Sequence, residues 1–109
     1  NVFVVGVDVD QYDMGKLSNG KSVTLTSALK KVDKAAYDYI DGKLNGKFPG
    51  GKVITRSLKD GGLDIPSKNP NLTAETIKKI NEAKQAVIDG KIVVPKTQAA
   101  LDEFVNKMK

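Results

Sequence analysis

Two carboxylates stand at the end of an almost unbroken apolar run, VFVVGV from Val2 to Val7, and they alternate with it as Asp8 and Asp10. A short apolar run bounded by polar residues suits a strand covered on both faces, as in a parallel sheet. Open α/β sheets bind ligands at the carboxyl ends of their strands, which points to Asp8. An ionised carboxylate accepts two or more hydrogen bonds and donates none, so it matches a pair of neighbouring sugar hydroxyls. The competing role for such an aspartate is a turn or helix cap. For Asp10 and Gln11, a loop or hinge hydrogen bond is the stronger reading, with ligand contact as the alternative.

The residues that most chemistry would need are missing. The 109-residue chain has no histidine and no cysteine. That removes serine–histidine triads, imidazole proton transfer, thiol nucleophiles, thiolate metal sites and disulfides. No nucleophile–base pair stands out among the remaining side chains, so the chain is not expected to be an enzyme, and no cofactor or metal is implied. The glycines of LKDGGLDIP lack the spacing of a phosphate-binding loop and suit a shaped lobe edge or hinge.

A net charge of +5 raises the question of nucleic acid, but Arg56 is the only arginine and the lysines lie scattered among acids. A solvated lysine-rich surface is the better reading, with no nucleic-acid partner. With 39% hydrophobic and 28% charged residues, the balance is that of one folded domain. Neither a membrane-spanning run nor a signal peptide is expected in these residues.

The elements that must position Asp8 follow from periodicity. SVTLTSAL, from Ser22 to Leu29, alternates as a second strand. A helix is predicted from about Ser27, as N-cap, to Leu44, with Val32, Ala35, Ala36, Tyr39 and Ile40 on one stripe. KVITRSL, from Lys52, reads as a third strand and Lys59 to Asn71 as a long loop. Thr73 caps a helix that Gly90 closes, Ile92 to Val94 make a short strand, and Thr97 opens a last helix. Tyr39, Phe3 and Phe104 fall on stripes expected to be buried, which leaves Tyr12 as the aromatic near the proposed mouth. The order β, β, α, β, α, β, α argues for a layered α/β sheet. Its first strand begins at residue 2 with no crossover before it, so partner elements upstream in a longer protein are expected.

The segments VVGVDVDQ, TSALKKVDKAAYD, GKFPGGK, LKDGGLDIP and INEAKQAVIDGKIVVP, in that order from Val2 to Pro95, resemble the basic membrane protein family. These are nucleoside-binding lipoproteins of bacterial ABC importers. The resemblance implies part of a type I periplasmic-binding-protein fold, with residues 1–109 forming a carboxyl-terminal lobe fragment of mostly parallel sheet and flanking helices. The amino-terminal lobe would be absent. It assigns ligand-binding roles to Asp8, against the ribose, and to Lys30 in TSALKK, at the start of the predicted helix. The two could also lie close enough to pair. The implied partners are a nucleoside, purine by preference, and an ABC permease. The implied location is extracytoplasmic, with membrane attachment only through a lipid anchor outside this fragment. Two alternatives stand beside this: a fragment with no ligand of its own, acting as a structural or interaction module, and a receptor for another sugar-like solute.

Overall fold

The computed structural model describes residues 2–108. Strand β1 (Val4–Asp8) pairs in parallel with β2 (Thr24–Lys30), and β2 pairs antiparallel with the two-residue β3 (Leu63–Asp64), giving the order β1-β2-β3. Helices α1 (Val32–Leu44), α2 (Ala74–Ile88) and α3 (Gln98–Met108) complete the described elements. The longer pairing is parallel, as expected, and β3 makes the sheet mixed.

Register decides which side chains meet. Gly6 lies opposite Ser27, Val7 opposite Ala28 and Asp8 opposite Leu29, with an irregularity between Val4 and Val5. Both strands therefore run out at the same end of the sheet. The connection between them, residues 9–23, carries a 3-10 turn at Asp13–Gly15 and a bridge between Lys16 and Ser22 instead of a crossover helix.

Buried hydroxyls hold that connection down. Among the described residues Ser22, Thr24 and Ser27 are the buried polar side chains, and Ser27 is fully enclosed. Ser22 Oγ donates to the Tyr12 carbonyl at 2.7 Å, and Thr24 Oγ1 donates to the Gln11 carbonyl at 3.0 Å. On the flank of β2 that faces away from β1, the Asn71 amide donates to the carbonyls of Ser22 and Thr24 at 2.9 and 2.8 Å. Thr26 Oγ1 donates to Asn69 Oδ1 at 2.6 Å. The loop before α2 thus satisfies backbone groups that an adjacent strand would otherwise take.

Several expectations are corrected. Ser27 is no helix cap: it sits inside β2, and its Oγ accepts from the Gln11 amide at 3.0 Å. Accordingly α1 begins at Val32, and Lys30 ends a strand instead of starting a helix. KVITRSL forms no strand, because no sheet edge reaches it, and Val53 is 96% exposed. Residues 92–94 likewise stay irregular. Thr73 does cap α2, accepting from Thr76 N at 3.1 Å, and Gly90 adopts φ +75°.

Apolar burial also departs from expectation. Among the described residues no hydrophobic side chain is fully buried, Phe3 is half exposed, and Val2, Val4, Val5, Val7 and Val9 are exposed along β1 and its flanks. The radius of gyration is 17.3 Å, against about 13 Å for a compact chain of this length. The apolar faces that periodicity identifies are present, but these residues do not close over one another.

Candidate functional site

Asp8 and Lys30 meet where the two parallel strands end. Lys30 Nζ lies 2.8 Å from Asp8 Oδ1, with both side chains about three-fifths exposed. Register sets Asp8 opposite Leu29 and one residue short of Lys30, so the two side chains stand at the same end of the paired strands.

Asp8 also carries an unusual backbone. Its φ is +73°, the left-handed region that residues with a Cβ rarely occupy, and it is the one described non-glycine residue there. The Val9 amide bonds back to the Val7 carbonyl at 3.0 Å. A bond between residues two apart across a centre of positive φ is the strained hand of the γ-turn. Such conformations cost of order 1–3 kcal/mol and persist only where surrounding contacts impose them.

The residues after Asp8 supply those contacts. Asp10 Oδ1 accepts from the Tyr12 amide at 3.0 Å, the turn geometry open to an aspartate at this position. Gln11 lies back over β1: its amide donates to Ser27 Oγ, its carbonyl accepts from Thr24 Oγ1, and its Nε2 donates to the Val7 carbonyl at 3.2 Å. Gly6 makes room for this. A Cβ there would stand 2.5 Å from Ser27 Oγ and 2.8 Å from Gln11 Oε1. Gly6 was not singled out by sequence reasoning and Ser27 was read there only as a helix cap, although a glycine inside an apolar strand is itself a sign of close approach. Tyr12 has the Lys16 ammonium 6.0 Å above its ring.

Two open concavities flank these strand ends. One, of about 500 Å³, has a mixed lining that includes Asp10, Lys31, Asp64, Asn69, Ile65 and Ile77. The other, of about 400 Å³, lies between the sheet and α2 and is lined mainly by apolar residues such as Val7, Leu58, Leu63, Ile80 and Val87. Lys84 bridges α2 to β3 through Asp64 Oδ1 at 2.6 Å, and that bond holds the Asp64 carboxyl below its usual range against a smaller desolvation effect. Farther away, bonds from Lys34 and Arg56 hold the Asp38 carboxyl low, and the Arg56 guanidinium lies 5.6 Å from the centre of the Tyr39 ring. Among the described residues no helix is long and apolar enough to cross a membrane.

The chain is 42% identical over 98 residues to the ABC transporter nucleoside-binding protein BmpA of Lactococcus lactis, a match covering 86% of this chain and 27% of that protein. It is 40% identical to a CD4+ T-cell-stimulating antigen of Listeria monocytogenes, covering 86% of this chain and 28% of that protein. Basic membrane protein C of Borreliella burgdorferi is 27% identical, with 97% of this chain and 29% of that protein matched. The chain thus spans under a third of the length of these relatives. Among solved structures, an ABC transporter solute-binding protein from Aeropyrum pernix superposes with a TM-score of 0.59 at 23% identity, covering 96% of this chain and 36% of that one. A protein described as a transcriptional activator of the comK gene from Bacillus halodurans gives 0.68 at 22%, covering 85% and 31%. At those identities the likeness concerns the fold alone, and it matches an α/β portion of a solute-binding architecture. The model of the Bmp family, PnrA-like ABC transporter substrate-binding proteins, matches residues 1–98, and the chain belongs to that family.

Proposed function

We propose that residues 1–109 are the carboxyl-terminal portion of a two-lobe solute-binding protein that captures a nucleoside, purine by preference, and presents it to an ABC permease. The observation that carries this reading is the Asp8–Lys30 pair at the ends of two parallel strands, one member held in a strained backbone conformation. Strain of this kind is concentrated at ligand clamps.

The chemistry is that of binding alone. The Asp8 carboxylate accepts both hydroxyls of a ribose, while Lys30 supplies the opposite charge when a second lobe closes and excludes water. Without that partner charge, closing a lobe over a bare carboxylate would carry a large desolvation cost. Support for a nucleoside also comes from the name of the Lactococcus relative, a nucleoside-binding protein. Asp10 and Gln11 act in this reading through the backbone of the segment that follows Asp8. The chain performs no covalent chemistry, and the complete protein is extracytoplasmic, held to the membrane by a lipid anchor outside these residues.

Calorimetric titration of the complete two-lobe polypeptide with inosine, guanosine, adenosine, cytidine and uridine tests the proposal. Micromolar or tighter binding of a nucleoside is expected, weakened about 10- to 100-fold in Asp8→Ala, the loss appropriate to a charge-assisted hydrogen bond. Binding of another solute but no nucleoside would refute the substrate. The exposure of the Asp8–Lys30 pair favours a second statement: the 109-residue chain offers one wall of a cleft and binds no nucleoside by itself. Micromolar binding by the chain alone would overturn that statement.

A further inference from the structure

We infer that Gln11 is a positioning residue, which holds Asp8 in its left-handed conformation and so aims the carboxylate; the inference rests on the reading that Asp8 contacts the ligand.

The argument begins with what φ of Asp8 measures. It is the rotation of the peptide plane between Val7 and Asp8 about the Asp8 N–Cα bond. The carbonyl of that plane belongs to Val7, and it receives two donors, the Val9 amide at 3.0 Å and Gln11 Nε2 at 3.2 Å. The Val9 bond is part of the strained turn itself. Gln11 is the donor from outside it.

Gln11 can serve this role because its backbone is anchored independently of its side chain. Its amide donates to the enclosed Ser27 Oγ and its carbonyl accepts from Thr24 Oγ1, both on β2. The side chain then reaches back four residues over Gly6, where a Cβ would approach Gln11 Cβ to 2.9 Å. The pinned backbone of Gln11, the short reach and the missing Cβ converge on one carbonyl. A substitution at Gln11 leaves both anchoring backbone bonds in place, so its effect is confined to the Val7–Asp8 peptide.

A double-mutant cycle in the complete two-lobe polypeptide, read by titration with inosine and guanosine, separates positioning from general support. Gln11→Ala is expected to weaken binding about tenfold in the otherwise native protein and less than about twofold in an Asp8→Ala background. Gln11→Glu, which keeps the length and removes the donor, should behave like Gln11→Ala, with thermal midpoints of all variants following their folding. Amide exchange at Val9 supplies a readout without ligand, and its protection should fall in Gln11→Ala. Equal losses in both backgrounds, no loss in the native background, or unchanged Val9 protection would each overturn the inference. If Asp8→Ala alone leaves binding intact, the proposed site is wrong and this role for Gln11 falls with it.

Discussion

Lys30 Nζ stands 2.8 Å from Asp8 Oδ1 although the two residues belong to different strands and both remain largely in solvent. Exposed ion pairs contribute little to folding, so the contact is better suited to arranging two groups than to holding the sheet together. Lys30→Met is accordingly expected to shift the thermal midpoint by no more than about 4 °C. On the proposed function, the same substitution in the complete two-lobe polypeptide should weaken nucleoside binding about tenfold or more, as removal of a charged partner does. Paired melting and titration experiments check both halves.

Gly6→Ala should be costly despite adding a single methyl group. The new carbon would press on Ser27 Oγ, which is fully enclosed, and on Gln11. Overpacking of this kind costs about 1–3 kcal/mol. Urea unfolding measures it, and the free energy lost should be smaller in a Gln11→Ala background, where one of the obstructing side chains has been shortened.

Asn71→Ala removes a donor shared by the carbonyls of Ser22 and Thr24. Both lie at the sheltered entry to β2, one just before it and one at its first residue, so leaving them unsatisfied should cost about 1–3 kcal/mol. The drop is expected in chemical denaturation, with increased amide exchange across β2.

Asp64 and Lys84 predict an acid-sensitive contribution to stability. The carboxyl is held below its ordinary 3.8, first by the bond from Lys84. A carboxyl depressed in the folded state binds fewer protons there than in the unfolded chain, so its contribution is complete above the unfolded value, about 3.9, and fades as pH falls through the folded one. The stability difference between native protein and Lys84→Met should therefore be present at pH 7, begin to shrink near pH 4 and vanish in stronger acid. Urea titrations at several pH values follow it, and added salt should reduce the pH 7 difference because both side chains are partly exposed.

What was legible in the sequence was the local signal. The apolar run of β1, the stripe of α1 and the Thr73 and Gly90 boundaries of α2 all emerge from spacing and capping. What was not legible was pairing. Val53 and Ile54 have strand-forming side chains, but strand formation needs a neighbouring edge, and only Leu63 and Asp64 find one. Ser27 is of a residue type that suits a cap, yet β2 absorbed it as the anchor for Gln11. At the candidate site, Asp8 followed from its place at a strand end, and Lys30 from resemblance. Their contact required the parallel register, and the interlock of Gly6, Gln11 and Ser27 required three segments to be brought together in space.

The sheet has an asymmetric perimeter. Beyond β2, the far flank is occupied by the Asn71 amide at one end and by β3 at the other, and β3 supplies only two residues of ladder. On β1 the Gln11 side-chain amide takes the Val7 carbonyl at the Asp8 end. The two sides of the sheet are therefore unlike: the β2 side is closed by a short ladder and a side-chain amide, while β1 runs out into the turn from which Asp8 projects.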